Sequence, residues 1–244
     1  MKPESPFYER IRSVLDTSVL FSYLDAPILE EMLSIYRRET WPKGAQLPPK
    51  QSVEFFTVII SGRMEITRTN PETGRQITLF VLGPGDAFDV LTLLESKEHD
   101  ATPVALEELE VIVAPIAKVR QWVEVHPGFN RAFLPYLGEK IRALEDLSAD
   151  LALYETVSRL ANLILQQATP DLPLVDTNFK RPTPPLINTL SDEAMARMIG
   201  SVRVVVNRHI QDFIRMKLIS TTRGQLVVND LEKLRAYCET MLSR

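Results

Sequence analysis

The sequence predicts an α+β protein, in which an antiparallel β-roll with flanking helices is followed by a long helix and then by a C-terminal helix–turn–helix with a hairpin. Two observations support this fold. The apolar period changes from helical to strand-like near Trp41 and returns to helical near Lys118. Glycine- and proline-containing turns separate the short apolar runs between these points. The expected boundaries are 1–127 for the roll domain, 128–154 for the long helix and 155–244 for the helix–turn–helix domain.

Composition is that of an ordinary globular chain. Its 244 residues are 45% hydrophobic and 25% charged, which is enough for two domains with separate cores. The single cysteine, Cys238, excludes an intramolecular disulfide and a four-cysteine iron–sulfur cluster. The first ten residues, MKPESPFYER, lack the pattern of a signal peptide, and no apolar run approaches the roughly 18 residues of a spanning helix. We therefore expect a cytoplasmic protein with no membrane partner.

Charge is distributed unevenly along the chain. The net charge is −4, yet the segment from Arg197 to Arg223 is strongly basic, with only Asp212 opposing its cations. A basic part in an otherwise acidic chain favours contact with a polyanion. On charge alone, a solvated basic face is the alternative.

The N-terminal half is predicted to contain short helices and then strands. Residues 1–40 carry apolar side chains at helical spacing, namely Phe7, Ile11, Val14 and Leu15 and then Ile28, Met32, Leu33 and Tyr36. The runs FFTVIIS, MEITR, QITLFVL and LEVIVAP follow, separated by turn residues. Short, punctuated apolar runs of this kind are typical of an antiparallel roll or sandwich.

A long helix is predicted after His126-Pro127-Gly128. Apolar residues recur there at steps of three or four from Phe129 to Tyr154. A helix this long, beyond a complete β-domain, predicts pairing with a second copy of itself. The candidate dimerisation residues are Phe133, Leu137, Ile141, Leu144 and Leu151. The alternative is that the seam only covers the roll.

The C-terminal part has the order of a winged helix-turn-helix. After a helix over 157–167 and a proline-rich connector over 171–188, Ser191 is expected to cap a helix that reaches about Ile199. Gly200 is expected to end that helix in a left-handed conformation, and Ser201 to cap a second helix that reaches about Lys217. Two short strands around a turn at Arg223-Gly224 would form the wing.

The second helix of this motif sorts its side chains by face. One face carries Val206, Ile210, Phe213 and Ile214, and the opposite face carries Arg203, Val204, Asn207 and Arg208 near the N-terminal end. Arginine fits guanine, asparagine fits adenine, and a valine methyl fits the thymine methyl in the major groove. The candidate DNA-contacting residues are therefore Ser201, Arg203, Val204, Asn207, Arg208 and Arg223. A surface amphipathic helix is the alternative.

Over about residues 20–235 the chain resembles the CRP/FNR family of transcription regulators. The similarity lies in the turns WPKG, IISGRMEI and LGPGDAF, the junction YETVSRLANLIL, and LSDEAMARMIGSVRVVVNRHIQDFIRMKLIS. The resemblance implies a cyclic-nucleotide-binding-like β-roll as sensor domain, a homodimer formed through the long helix, and binding to an inverted repeat in double-stranded DNA. It also implies contact with RNA polymerase if the protein is an activator. Val204 replaces a glutamate of many family members, which predicts thymine in place of cytosine at that base pair.

The family's cyclic-nucleotide pocket is altered at each position compared. Val90 stands at the glutamate for the ribose, Asp100 and Ala101 at the arginine and serine for the phosphate, and Leu144 and Glu145 at the base-contacting positions. An aspartate repels a phosphate, and the other changes remove hydrogen bonds. Cyclic AMP in the usual pose is therefore not expected.

An apolar effector is predicted to have replaced the nucleotide. An apolar cavity suited to haem or another hydrophobic ligand would be lined by Val90, Leu91, Leu93, Leu94 and Leu144, with His99 as the candidate haem ligand. FDVLTLLE with the long helix also resembles regulators of the hybrid cluster protein, a subgroup that answers nitrosative stress, which implies haem and nitric oxide. A regulator with a degenerate pocket and no ligand is one alternative. A β-roll enzyme is another, although its catalytic motifs are missing from the sequence.

Overall fold

A computed structural model describes residues 6–47, 53–98, 100–168, 190–222 and 225–242. The chain divides into two compact units. The first comprises Met1–Arg75 and Leu79–Glu145, and the second comprises Gln76–Thr78 and Asp146–Arg244. The division therefore falls within the predicted long helix. Among the described residues, no helix combines the length and apolar character needed to cross a bilayer.

The first unit contains two sheets and the helices around them. The helices are α1 (Pro6–Asp16), α2 (Ala26–Ser34), α3 (Val90–Glu95), α4 (Ile116–Val125) and α5 (Gly128–Leu153), the last of which continues into the second unit. The strands are β1 (Arg37–Trp41), β2 (Phe55–Ser61), β3 (Met64–Thr69), β4 (Gln76–Leu82), β5 (Ala87–Phe88), β6 (Thr102–Ala105) and β7 (Leu109–Pro115). One sheet has the order β1-β7-β2-β5 and the other β4-β3-β6. Strand β7 runs antiparallel to both of its neighbours, β1 and β2, and the pairs β2–β5 and β3–β6 are also antiparallel. This pairing confirms the predicted roll.

Two elements of this unit differ from the prediction. The helical interpretation of residues 1–40 is wrong for β1, where Arg37 pairs with Val113 and Trp41 with Leu109 of β7. The sequence of β1, RRETW, has no apolar alternation, so its strand conformation comes from pairing with β7. In addition, the short helix α3 interrupts the region expected to be strands. Asp89 precedes it in a left-handed conformation, and its carboxylate accepts from the Thr92 backbone N–H.

The turn between β2 and β3 requires glycine. Gly62 has a φ of +85°, and a Cβ added there would lie 2.4 Å from the backbone carbonyl oxygen of Glu108. A side chain would therefore meet both backbone strain and a rigid neighbour. This explains why glycine stands in the predicted SGR turn.

The first turns of α5 belong to the core of the first unit. Phe129, Phe133 and Tyr136 are buried there with residues of α1, α2 and the sheets. The Trp122 and Phe129 rings meet edge to face, with centroids 5.4 Å apart. Packing on one side thus fixes the start of the long helix against the roll.

The second unit contains the end of α5, then α6 (Thr156–Ala168), α7 (Asp192–Met198), α8 (Arg203–Arg215), β8 (Ile219–Thr222), β9 (Gln225–Val228) and α9 (Leu231–Leu242). The break expected near Tyr154 is confirmed, because α5 ends at Leu153 and α6 begins at Thr156. The connector over 171–188 and the turn at 223–224 lie outside the described residues. Helix α9 was not predicted.

Candidate DNA-binding face and effector cavity

The first helix of the helix–turn–helix begins and ends as predicted. The Ser191 hydroxyl accepts a 3.2 Å hydrogen bond from the Ala194 backbone N–H, which makes Ser191 the N-cap of α7. Gly200 has a φ of +61°, the left-handed conformation expected at the end of this helix. A Cβ added at Gly200 would lie 2.5 Å from Leu151 Cδ2, so the turn packs closely on the end of α5 within the second unit.

The predicted cap of the second helix is wrong. Val202, not Ser201, is the N-cap of α8, and it makes no side-chain cap hydrogen bond. Val202 keeps an extended backbone, so the helix begins one residue later than the sequence suggested, at Arg203. The backbone N–H of Ser201 donates to the Ala196 carbonyl oxygen at 2.8 Å, which closes the turn.

The predicted sorting of the α8 faces is confirmed. Val206, Ile210 and Phe213 are buried in the core of the second unit. On the other side, two arginines and a valine are exposed, with 79% of Val204 accessible. Arg203 and Arg208 therefore flank an exposed valine at the N-terminal end of the helix, the part that enters the major groove in this motif. Arg223 lies outside the described residues.

Electrostatics on α8 favour a cationic face that does not depend on histidine. Burial lowers the pKa of His209 below its usual value, and the guanidinium of Arg208 lowers this pKa further. His209 is therefore neutral near pH 7. The charge of the face comes from arginines, which stay protonated at all physiological pH values.

Asn207 has a partner within the motif. Its Nδ2 donates a 3.2 Å hydrogen bond to Oδ2 of Asp192, the first residue of α7. Sequence reasoning placed Asn207 on the DNA-reading face but did not find this contact, because 15 residues separate the pair.

A cavity of about 370 Å³ lies in the first unit, between the roll and α5. Its walls are mainly aliphatic and aromatic: Ile66, Arg68, Leu79, Phe80, Leu82, Ala87, Phe88, Asp89, Val90, Leu91, Tyr136, Leu137, Lys140, Ile141 and Leu144. The predicted pocket residues Val90, Leu91 and Leu144 are among them. The expectation of an apolar cavity at this place agrees with its geometry.

Five residues predicted to line this cavity do not, so their assignment to the pocket is wrong: Leu93, Leu94, Asp100, Ala101 and Glu145. Leu94 is 52% exposed, because α3 turns the neighbouring Leu93 into the core instead. Asp100 and Glu145 are exposed.

Ala101 is the fifth of these residues, and it is buried in a cluster of the roll core. Asp100 forms an ion pair with Arg68, with Oδ2 3.5 Å from Nε. Both side chains are mostly exposed, so this ion pair lies on the surface. His99 lies outside the described residues.

Sequence reasoning missed the polar groups at the cavity wall. Lys140 Nζ lies 3.1 Å from Oδ1 of the buried Asp86 and 4.8 Å from the centre of the Tyr136 ring. The Tyr136 hydroxyl donates to the Ala87 carbonyl oxygen and accepts from its N–H, each at 3.2 Å. The four-residue step from Tyr136 to Lys140 puts both on the cavity side of α5, a signal that the sequence does contain.

The predicted dimerisation residues divide into two groups. Phe133 is 5% exposed and packs in the core of its own chain, so its assignment to a dimer seam is corrected. Leu137 is half-buried against the same core and also lines the cavity. Leu151 packs against Gly200 of its own chain. Ile141 and Leu144 remain 58% and 39% exposed.

Leu134 was missed as a candidate for the seam. It lies seven residues before Ile141 and is 68% exposed. This heptad spacing puts both residues on one side of α5. Leu134, Ile141 and Leu144 together form an exposed apolar stripe on this helix.

Two family models match the chain. Residues 44–126 match the cyclic nucleotide-binding domain, and residues 158–237 match the Crp-like helix-turn-helix domain. The first range covers most of the roll, and the second covers α7, α8 and the hairpin.

Several known proteins are similar to this chain over most of its length. A CRP-like cAMP-activated global transcriptional regulator of Mycobacterium tuberculosis is 25% identical over 72% of this chain and 76% of its own. A global nitrogen regulator of Synechocystis sp. is 29% identical over 75% of this chain and 79% of its own. Among solved structures, a CooA mutant from Carboxydothermus hydrogenoformans superposes with a TM-score of 0.66 at 24% identity, over 85% of this chain and 90% of its own.

The fold, the two domain matches and the relatives agree. The matched families and relatives are transcription regulators and not enzymes, and the chain combines their sensor-type roll with their DNA-binding motif. This chain belongs to the CRP/FNR family of transcription regulators.

Proposed function

We propose that the protein is a homodimeric, effector-responsive regulator that binds an inverted repeat in double-stranded DNA. The observation that carries this proposal is the exposed N-terminal face of α8, where Arg203 and Arg208 stand on either side of Val204. Exposure of an apolar valine side chain to water, between two arginines, is unfavourable unless a partner covers it. This arrangement suits a major groove, where arginine pairs bidentately with guanine and a methyl group meets thymine.

The test is selection of binding sites from randomised DNA, followed by Arg203→Ala and Arg208→Ala. We expect each variant to relax preference at one base pair and to bind the selected site about 10- to 100-fold more weakly, the loss that follows removal of a bidentate guanine contact. Arg215→Ala is the matched control, because Arg215 lies on the same helix but pairs with Asp212 at its far end. Unchanged base preference in both test variants contradicts the assignment.

Dimerisation is proposed through the exposed stripe of α5. Leu134 and Ile141 expose more than half of their surface in a single chain, and Leu144 continues the same side of the helix. Burying these side chains against a second copy removes apolar surface from water. Dimers with this DNA-binding motif read an inverted repeat with two recognition helices in successive major grooves.

The effector is proposed to occupy the cavity of the first unit. Most of the wall is aliphatic or aromatic. The polar side chains there already bind protein groups: Lys140 pairs with Asp86, Tyr136 bonds to Ala87, Arg68 pairs with Asp100, and Asp89 accepts from the Thr92 N–H. A ligand therefore gains mainly by burying its own apolar surface, which argues against a cyclic nucleotide in the family's usual pose.

Haem, with nitric oxide as signal, is the specific effector proposed. The wall is apolar, as the surroundings of a haem are, and bound haem would supply the iron that binds the gas. No histidine, cysteine or methionine occurs among the described lining residues, so an axial ligand depends on His99, outside the described part of the chain. A methionine sulfur can also bind haem iron, but Met64, which the sequence offers near the cavity, is fully buried in the roll core and does not line the cavity.

This effector is tested by titrating the purified protein with haem and recording the absorbance spectrum of the mixture with and without nitric oxide. We expect a sharp Soret band that saturates at one haem per chain, shifts with nitric oxide and is lost in His99→Ala. His126→Ala is the matched control, because His126 contacts the Trp122 ring, with centroids 4.8 Å apart, and lies 3.5 Å from a Glu31 carboxylate oxygen, away from the cavity lining. A broad, unsaturable band contradicts haem and leaves another apolar ligand, or a regulator that needs none.

A further inference from the structure

Asp192 and Asn207 form a polar contact between the two helices of the DNA-binding motif. Asn207 is exposed on the same side of α8 as the two arginines, and Asp192 is half-buried at the start of α7. The Nδ2 of Asn207 lies 3.2 Å from Oδ2 of Asp192. The contact is thus placed where an amide would meet the edge of a base.

The chemistry of this contact determines which way the amide points. An ionised carboxylate only accepts hydrogen bonds, whereas an asparagine amide has one accepting and one donating end. Beside Asp192, the amide must therefore turn its Nδ2 towards the carboxylate. Without that partner, the two orientations of the amide differ little in energy, and the side chain samples more rotamers.

The contact leaves the groups that read adenine available. Nδ2 carries two hydrogens, of which Asp192 takes one. The second hydrogen and Oδ1 remain, and these are the donor and the acceptor that match adenine N7 and N6. The contact with Asp192 therefore orients the amide without using up its readout.

We propose that Asp192 is a positioning residue that fixes the amide of Asn207 for recognition of adenine, a role that rests on the DNA-binding function proposed above. The carboxylate also carries a negative charge on the side of the motif that meets phosphates. This charge weakens binding to any DNA sequence, whereas the hydrogen bond to Asn207 increases discrimination at one base pair. Asp192 thus contributes to specificity at a cost in general affinity.

This pair of effects distinguishes positioning from a merely structural role. If Asp192 only stabilised the start of α7, its loss would weaken binding to all sequences. If it positions Asn207, Asp192→Ala raises affinity for unrelated DNA and lowers discrimination at the Asn207 base pair. Glu193→Ala is the matched control, because Glu193 is also an acidic residue in the first turn of α7.

The experiment measures binding of the full-length protein to its selected site, to the same site with the adenine replaced, and to unrelated DNA. We expect Asn207→Ala to reduce discrimination at one base pair about tenfold, and Asp192→Ala to reduce it several-fold at that same base pair. In the double variant, Asp192→Ala has no further effect on discrimination. Glu193→Ala raises general affinity by a similar factor but keeps the discrimination.

Several outcomes overturn the inference. Discrimination that survives Asp192→Ala, or that falls equally in Glu193→Ala, shows that Asp192 does not position the amide. Discrimination that rises in Asp192→Ala shows that the carboxylate holds Asn207 away from the base. Failure of Arg203→Ala and Arg208→Ala to change base preference instead contradicts the proposed function, so the two failures are distinguishable.

Discussion

Changing both Leu134 and Ile141 to aspartate is expected to convert the protein to a monomer and to weaken its binding to the selected inverted repeat by about 100-fold or more. These side chains are 68% and 58% exposed in a single chain, so the changes cost little folding free energy. In the proposed interface, the same carboxylates would be buried without partners, at a cost of several kcal/mol. A monomer contacts one half-site and loses the gain from binding two sites at once.

Sedimentation velocity measures the first effect and a DNA-binding titration the second. Leu153→Asp is the matched control, because Leu153 lies on the same helix, is 73% exposed, and is turned about 120° away from Ile141. We expect the control to remain dimeric and to bind DNA as the wild type does. A double variant that still sediments as a dimer with unchanged DNA affinity rules out the apolar stripe as the interface.

The spacing and type of neighbouring residues predicted those helices, strands and caps whose stability depends on contacts within a short stretch of chain. In α8, the period of 3.6 residues separated the buried Val206 from the exposed Val204, although both are valines. The run FFTVIIS became β2 with the same bounds, because a continuous apolar run between turns suits a buried strand. Ser191 and Gly200 were found because capping and left-handed turns depend on the residue itself.

Tertiary contacts explain what was missed. Strand β1 is polar, and only pairing with β7, more than 60 residues later, makes it a strand. Lys140 and Asp86 meet across 54 residues, so no local pattern joins them at the cavity. Phe133 was assigned to a dimer because a helical period shows that a side is apolar but does not show what covers it. Helix α9 does carry a helical signal, since Leu231, Leu234 and Cys238 recur at steps of three and four.

Gly62→Ala is expected to lower the free energy of unfolding of the first unit by about 2–5 kcal/mol. Alanine at a φ of +85° costs about 1–2 kcal/mol in backbone energy. Its Cβ would also lie 2.4 Å from the Glu108 carbonyl oxygen and 2.9 Å from Leu109 Cδ2, and moving these neighbours costs about 1–3 kcal/mol more. Because the turn joins β2 of one sheet to β3 of the other, we expect the substitution to destabilise the whole roll that forms the effector cavity.

Urea unfolding followed by tryptophan fluorescence measures this loss, because the two tryptophans of the chain, Trp41 and Trp122, both lie in the first unit. Gly74→Ala separates the two causes. Gly74 also has a positive φ, +67°, but a Cβ there meets nothing within 4 Å, so only the backbone cost of about 1–2 kcal/mol is expected. Equal losses in the two variants would mean that the neighbours of Gly62 yield freely. The conformation of the turn, and not its close approach to Glu108, would then be what requires glycine.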